Sequence, residues 1–191
     1  MSSHHPYPSE LEESLQHGGR QLLLRPIRPE DAPLHRRFLA RIAPQDLYTR
    51  FFTTVRQLPE ADIAHLTQID YDREMAFVAV AVDSSGVEEI LAVARACADP
   101  GNRTAEFAVL VRSDLKGQGL GTLLLAKLIR YCRARGTQRL WGSVMCDNSA
   151  MLQLARSLGF TVRGSENNIE QIALELQSGP PPLAGAHTSR E

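Results

Sequence analysis

Apolar residues recur along this chain at two spacings, one typical of strands and the other of helices. Alternating or continuous apolar segments predict strands at 21–27, 75–82, 88–98, 103–112, 138–146 and 169–176, and Phe160 begins one more. Apolar residues three and four positions apart predict helices near 30–42, 46–52, 59–68, 119–135 and 149–158.

The order of these elements predicts how the strands pair. Short turns separate the three strands between residues 75 and 112, so we expect an antiparallel N-terminal meander. A helix lies between the strands at 103–112 and 138–146, and such a crossover makes the two strands parallel neighbours. The sequence thus predicts an α/β (α+β) domain with a mixed central sheet of about six to seven strands.

The two ends of the chain differ in composition from the rest. Residues 1–19 are rich in Ser, His, Pro and Glu and predict a flexible N-terminal arm, and residues 178–191 predict a disordered C-terminal tail. The remaining residues, 20–177, are expected to form a single domain. His4 and His5 have no third ligand nearby, so we expect no metal site.

Charge and composition narrow the classes of partner. A net charge of −1 gives no basis for binding nucleic acid or an anionic membrane. No apolar run approaches the ~18 residues of a membrane span, and none follows the N-terminus as a signal peptide would. The scattered Cys97, Cys132 and Cys146 lie in apolar segments and indicate reduced core thiols. We therefore expect a cytoplasmic protein.

A glycine-rich turn is the strongest candidate for a binding site. Gly117, Gly119 and Gly121 follow the strand at 103–112 and lead directly into an apolar helix. Glycines let the backbone curl and approach a ligand, and a helix N-terminus offers free N–H groups and the positive end of its dipole. This arrangement is typical of a phosphate site.

Two common phosphate loops do not fit this turn. A P-loop has a lysine after its last glycine, and here Thr122 occupies that position. The dinucleotide fingerprint is G-x-G-x-x-G, whereas these glycines alternate, and an antiparallel meander upstream does not suit the dinucleotide-binding fold.

The turn does resemble the pyrophosphate loop of the GNAT family of N-acetyltransferases. Lys116 to Gly121 reads Lys-Gly-Gln-Gly-Leu-Gly where that family has [Arg/Gln]-x-x-Gly-x-[Gly/Ala]. Asn148 before a helix, with Leu158-Gly159-Phe160 after it, resembles the family's second motif. The resemblance spans 22–176 and implies the GNAT fold, with helices on both faces of the sheet. It also implies acetyl-CoA as donor and a primary amine as acceptor, without a metal.

Three further segments narrow the resemblance. Residues 24–31, 50–52 and 69–75 look like the GNAT domain of bacterial Pat-type protein-lysine acetyltransferases. In that group the domain often follows a region similar to an acyl-CoA synthetase. The resemblance therefore implies a protein lysine as acceptor and an acyl-CoA synthetase as a candidate partner. A small-molecule amine acetyltransferase and a non-catalytic acetyl-CoA-sensing module stay open as alternatives.

The resemblance assigns the cofactor mainly to backbone groups. We expect the strand at Val109, Leu110 and Val111 to part from the strand at 140–144 and to pair with the pantetheine amides. The pyrophosphate is expected on the turn, at Lys116, Gly117, Gln118, Gly119, Leu120, Gly121 and Thr122. Asn148 is expected to bond the pantetheine arm or nearby backbone, or alternatively to cap the helix that follows it.

Attack by an amine requires a base, because a lysine with a pKa of ~10.4 is almost fully protonated near neutral pH. Glu106 is the predicted base, since it shares a strand face with Ala108 and Leu110 just before the expected thioester position. The resembling group has a glutamate at the corresponding strand position. The alternative is a surface carboxylate paired with Arg95 or Arg103.

The sequence offers several candidates for the proton donor and one segment for the acceptor entrance. Many family members place a tyrosine seven residues after the motif asparagine, where this chain has Ala155. The leaving thiolate would then take a proton from Cys146, Tyr71 or water, or leave unprotonated. Tyr71, Asp72 and Glu74 are expected to form an acidic entrance for a cationic amine, the alternative being a solvated loop.

Overall fold

The structure is a computed structural model that describes residues 6–52, 59–82 and 85–176, and its centre is a mixed sheet. Within these ranges the eight strands are β1 (Glu13–His17), β2 (Arg20–Pro26), β3 (Glu74–Val82), β4 (Glu88–Ala98), β5 (Thr104–Val111), β6 (Arg139–Met145), β7 (Thr161–Glu166) and β8 (Ile169–Glu175). The same ranges hold the helices α1 (Ala32–Leu39), α2 (Pro44–Phe51), α3 (Glu60–Thr67), α4 (Leu120–Ala134) and α5 (Ser149–Ser157).

The strands lie in the order β1-β2-β3-β4-β5-β6-β8-β7. Neighbours from β1 to β5 are antiparallel, β5 and β6 are parallel neighbours joined through α4, and β6, β8 and β7 are again antiparallel. The predicted meander, the parallel pair and the mixed α/β (α+β) sheet are confirmed. The sheet has one strand more than the sequence predicted.

The additional strand, β1, lies within the segment that we expected to be a flexible arm. Gly18 and Gly19 both have positive φ, 57° and 77°, and close a two-residue turn that pairs β1 with β2. Turns with positive φ at both central positions match the natural twist of antiparallel strands. The expected arm is therefore wrong for residues 13–17. Residues 1–5 and the predicted tail at 178–191 lie outside the described residues.

Each face of the sheet has its own apolar core. On one face, Leu124, Leu125 and Leu128 of α4 are buried against β3, β4 and β5. On the other face, Phe38 of α1 and Leu47 of α2 are buried in a second cluster. Burial of one such side chain contributes about 1.5–3 kcal/mol relative to exposure. Helix α2 also contacts both β5 and β6, which brings it beside the point where these strands meet.

The cysteines occupy three different environments. Cys132 is buried in α4, Cys146 is partly buried, and Cys97 is exposed near the end of β4. The predicted core position is confirmed for Cys132 and wrong for Cys97. The reason is that Cys97 lies between Glu74 and Glu106 of the adjacent strands, at polar positions that no core cluster covers.

Neither a membrane-crossing helix nor a metal cluster is found in the part of the chain that the structure describes. No described helix is both long and apolar enough to cross a bilayer. No group of three His, Cys, Asp or Glu side chains in the described ranges is arranged to hold a metal ion.

Candidate active site

Strands β5 and β6 separate after a short stretch of pairing. Residues 104–106 lie opposite residues 139–141, and the ladder between the two strands ends there. Strand β5 stays paired with β4 as far as Val111, and β6 stays paired with β8, so the gap opens inside the sheet. It forms a cleft of about 490 Å³. The predicted parting of these two strands is confirmed.

Gly142 lies at the point of divergence. A Cβ at this position would come within 2.8 Å of Phe107 Cε1 and 3.1 Å of the Phe107 carbonyl oxygen. The Phe107 ring in turn packs on the Phe160 ring, with 4.8 Å between centroids. Because glycine has no Cβ, Phe107 of β5 can pack directly against the backbone of β6 at the point where the two strands begin to diverge.

One wall of the cleft is the free edge of β5. Val109, Leu110 and Val111 line it, as the sequence predicted. In an antiparallel pair, alternate residues direct their backbone groups away from the partner strand. Strand β4 pairs with the other edge of β5. The backbone N–H and C=O groups of β5 that do not bond to β4 therefore point toward the cleft. The opposite wall consists of β6 and α5 residues: Ser143, Val144, Asn148, Ala150, Met151, Gln153, Leu154 and Ser157.

The glycine turn closes one end of the cleft. Gly117 and Gly119 have φ of 75° and 82°, in the left-handed region that favours glycine. Gly121 has ordinary helical geometry, but a Cβ there would lie 3.0 Å from Leu154 Cδ1. Within the described ranges no side chain caps the N-terminus of α4, which leaves its first N–H groups available to a ligand. Of the seven predicted turn residues, six line the cleft: Lys116, Gly117, Gly119, Leu120, Gly121 and Thr122.

Helix α2 is tied to this turn through Asp46. The Asp46 carboxylate pairs with the Lys116 ammonium group and accepts a hydrogen bond from Ser113 Oγ at 2.6 Å. Ser113 Oγ accepts one from the Ala43 N–H at 2.7 Å. The predicted phosphate-binding lysine is therefore held at the mouth of the cleft by an acidic partner.

Glu106 lies at the other end of the cleft, where β5 and β6 are still paired. Its side chain is exposed and makes no hydrogen bond or ion pair with a residue that the structure describes. The alternative of a structural pair with Arg95 does not hold, because Arg95 binds Glu74 at 3.2 Å and the Leu66 carbonyl oxygen. The carboxylate is thus free to receive a proton from a ligand.

Arg50 of α2 lines the cleft near Glu106. Burial, together with the charge of Arg95, lowers the pKa of Arg50, and the negative charge of Glu106 opposes this shift. The guanidinium lies 5.0 Å from the centre of the Phe51 ring and forms no hydrogen bond or ion pair within the described ranges. A half-buried cation that forms no ion pair with a described residue can attract an anionic ligand.

The predicted acidic entrance is not part of this cleft. The Tyr71 hydroxyl donates to the Ile27 carbonyl oxygen at 2.7 Å. Asp72 and Glu74 line a separate small hollow beside Arg135. None of the three residues lines the cleft, and strand β4 separates Glu74, the first residue of β3, from β5.

Asn148 caps α5 and also lines the cleft, so its predicted contact with the pantetheine arm stays a prediction. Its Oδ1 accepts a hydrogen bond from the Met151 N–H at 3.2 Å, which caps α5. Its side chain also lines the cleft, and its Nδ2 has no hydrogen-bond partner in the described part of the chain. The oxygen therefore stabilises the helix while the amide nitrogen stays available to a ligand.

The protein groups considered as proton donors lie elsewhere. Ala155 is buried, 1% exposed. Cys146 Sγ is 3.7 Å from Ser165 Oγ, and the Tyr71 hydroxyl is bonded to Ile27. Neither Cys146 nor Tyr71 lines the cleft. Of the four routes considered, water and an unprotonated thiolate fit this geometry.

The contribution of α2 to the cleft was not predicted from the sequence. Asp46, Thr49, Arg50 and Phe52 all border the cleft. One signal was present, since Arg50-Phe51-Phe52 belongs to the resemblance with the Pat-type group, but nothing local in the sequence links it to a strand more than fifty residues away.

Residues 42–160 match the acetyltransferase (GNAT) family. This chain belongs to the GNAT family. Its fold, its open cleft and its glycine turn agree with this assignment, and the chain is an acetyl-CoA-dependent acetyltransferase that acts on amines.

Individual relatives extend over most of this GNAT chain. An acetyltransferase of Pseudomonas aeruginosa is 32% identical over 159 residues, which cover 83% of this chain and 84% of that protein. The acetyltransferase Pat of Mycolicibacterium smegmatis is 30% identical over 142 residues, 74% of this chain but only 41% of that protein. The crystal structure of the GNAT domain of S. lividans PAT has a TM-score of 0.80 at 25% identity and covers 90% of this chain and 100% of that domain.

Proposed function

We propose that this GNAT enzyme acetylates the side-chain amine of protein lysines and that Glu106 is its general base. The carboxylate of Glu106, which pairs with no described residue and lies at the end of the cleft where β5 and β6 part, is the observation that carries the proposal. Similarity to Pat over most of this chain, and to the GNAT domain of S. lividans PAT, supports protein lysine as the acceptor.

The free edge of β5 and the glycine turn would hold the donor. Pantetheine amides would pair with the backbone of Val109, Leu110 and Val111 as an added strand does. The pyrophosphate would lie against the N–H groups of the turn and of the first turn of α4. These contacts would bring the thioester carbonyl near the Leu110 N–H, which can polarise its oxygen.

The acceptor amine would approach from the side of α2. Deprotonation of a lysine near pH 7 costs about 4–5 kcal/mol, and a positioned carboxylate or a water bound to it lowers the barrier for this step. In the proposed reaction, Glu106 accepts the proton and the amine nitrogen attacks the thioester carbon. The carbon–sulfur bond then breaks, and coenzyme A leaves as a thiolate, which is a good leaving group because a thiol has a pKa near ~8.5.

A second acceptor class, amines that carry a neighbouring carboxylate, is favoured by Arg50. Its guanidinium lines the cleft near Glu106 and has no partner in the described ranges. An α-amino acid could present its amine to Glu106 and its carboxylate to Arg50. Substitution of Arg50 separates the two classes, since a lysine side chain has no carboxylate of its own next to the reacting nitrogen.

The test combines thiol release from acetyl-CoA with mass spectrometry of the acetylated product. Purified chain would be incubated with candidate proteins, including acyl-CoA synthetases, and in parallel with an amino-acid panel. Glu106→Gln should lower kcat about 10²–10⁴-fold and leave the Kd for coenzyme A within about twofold. Glu166→Gln, an exposed β7 residue, is the matched control. Retention of kcat by Glu106→Gln would exclude Glu106 as the base.

The same assay decides between acceptors. Acetyl-lysine in a protein product, formed equally well by Arg50→Gln, supports the lysine proposal. Acetylated amino acids without acetylated protein, together with a large rise in the acceptor KM of Arg50→Gln, would establish the second class instead.

A further inference from the structure

The last residue of β1 touches the glycine turn. Nε2 of His17 lies 2.6 Å from the Gln118 carbonyl oxygen, a contact between residues 101 positions apart. A carbonyl oxygen only accepts hydrogen bonds, so His17 Nε2 is the donor. Among the described residues, no other side chain bonds to the backbone of residues 117–119.

We propose that His17 is a positioning residue for acetyl-CoA, because it orients the Gln118–Gly119 peptide so that the Gly119 N–H faces the diphosphate. This inference rests on the proposed placement of the diphosphate at the turn, and it is independent of the acceptor and of the base.

The hydrogen bond from His17 fixes the direction of the Gly119 N–H through the geometry of the peptide group. In a trans peptide the carbonyl oxygen of one residue and the N–H of the next point in opposite directions, and the described chain contains no cis peptide bond. The bond from His17 to the Gln118 oxygen therefore turns the Gly119 N–H away from the imidazole. Gly119 lines the cleft, whereas Gln118 is exposed outside it.

The need for such a contact follows from the composition of the turn. Gly119 supplies the N–H of this peptide and Gly117 directly precedes Gln118, both glycines have left-handed φ, and glycine backbones rotate more freely than any others. Without a contact that fixes it, the Gln118–Gly119 peptide samples several orientations, and binding must then order it at a cost in free energy. A fixed orientation before binding removes part of this cost.

His17 is itself held firmly. Strand β1 pairs with β2 over five residues, and Leu15 packs against the core beneath α4. The Glu13 carboxylate binds Lys127 Nζ at 3.0 Å and Arg130 at 3.4 Å. The imidazole also rests on the turn, since a Cβ at Gly119 would lie 3.4 Å from His17 Cε1. Strand β1, at the edge of the sheet, thus holds His17 against the turn.

The test compares three substitutions in the full chain. His17→Ala and His17→Phe both remove the donor, and the phenylalanine keeps a ring against Gly119. Both should raise the Kd and KM for acetyl-CoA roughly tenfold, the effect of one lost hydrogen bond with its positioning, with kcat at saturation within about twofold. His17→Gln can still donate through Nε2 and should restore the Kd to within about threefold. His65→Ala, an exposed α3 residue, is the control.

A truncated donor separates positioning from general destabilisation. S-acetylpantetheine has no diphosphate, so His17→Phe should lower kcat/KM for acetyl-CoA and leave kcat/KM for S-acetylpantetheine unchanged. Equal losses with both donors, or an unchanged Kd for coenzyme A in all variants, would overturn the proposal. Binding by calorimetry needs no acceptor, so these results stand whichever amine the enzyme uses.

Discussion

Asp46 on α2 holds the ammonium group of Lys116 in an ion pair across the mouth of the cleft. The Lys116 side chain is 53% exposed and that of Asp46 is 15% exposed, and ion pairs with one partner in solvent contribute little, on the order of 1 kcal/mol. Lys116 can therefore exchange Asp46 for a diphosphate at little cost, and α2 keeps its link to the turn through Ser113.

Substitution of Lys116 should weaken coenzyme A binding. We expect Lys116→Met to raise the Kd roughly tenfold and to reduce its dependence on salt, because one cation near the phosphates is lost. Asp46→Asn removes an anion close to the proposed diphosphate position, so the Kd for coenzyme A should stay the same or decrease. Calorimetry at two salt concentrations measures both. An unchanged Kd for Lys116→Met would place the diphosphate away from this residue.

Asn148 offers a way to separate its two roles. Asn148→Ala should lose the helix cap, about 1 kcal/mol of stability, and also the free amide donor. Asn148→Asp keeps an acceptor for the Met151 N–H, removes the donor and adds a negative charge. We expect thermal stability to fall in the alanine variant alone and coenzyme A affinity to fall severalfold in both. Full affinity in Asn148→Asp would mean that the amide does not bind the cofactor.

Stability should fall in mild acid because of His35. Burial, with a further contribution from Arg95, lowers the pKa of His35 to about 4, and its Nδ1 has no partner in the described structure. The unfolded side chain has a pKa near ~6.5. Between these two values the unfolded chain binds a proton that the folded chain does not, so the free energy of unfolding decreases as pH falls from about 6.5 to 4, by at most about 3 kcal/mol.

Urea unfolding at several pH values measures this loss. His35→Phe should flatten the curve across the window, and a cavity of about 30 Å³ beside His35 gives the larger ring some room. His65→Gln on the surface of α3 should follow the unsubstituted protein. Identical slopes for His35→Phe and the unsubstituted chain would assign the acid sensitivity to other groups.

Cys132 and Cys97 should differ in reactivity. Burial raises the pKa of Cys132 to about 12, so little thiolate forms and iodoacetamide should not label it in the folded protein. Exposed Cys97 should be labelled, and coenzyme A should not protect it because it does not line the cleft. Mass spectrometry before and after denaturation in urea reads out each site. Rapid labelling of Cys132 in the native protein would show that α4 opens readily.

The sequence predicted the elements well because apolar spacing reports directly on buried faces. The strand at 88–98 and the helix at 119–135 have long, regular patterns, and the crossover rule then determined the parallel pair. Strand β1 was missed because the polar composition of residues 1–19 suggested disorder. The Gly18-Gly19 pair between two alternating segments was the available signal of a hairpin.

The parts of the site that one continuous segment forms were predicted from the sequence. The parts that depend on the packing of distant elements were not. The glycine turn and the edge of β5 are properties of one continuous segment. Arg50 reaches the cleft only because α2 packs over β5 and β6, which no local pattern reveals. The loop at 69–74 appeared suitable as an entrance, but the intervening strand β4 keeps it apart from β5.

The gap between β5 and β6 should also make the free energy of unfolding depend on the cofactor. An empty cleft leaves backbone groups of β5 without a partner strand, and a bound coenzyme A would complete the ladder. A ligand that binds only the folded state adds about 2.7 kcal/mol at a hundredfold excess over its Kd. Resistance of this enzyme to unfolding should then rise and fall with the concentration of its own donor.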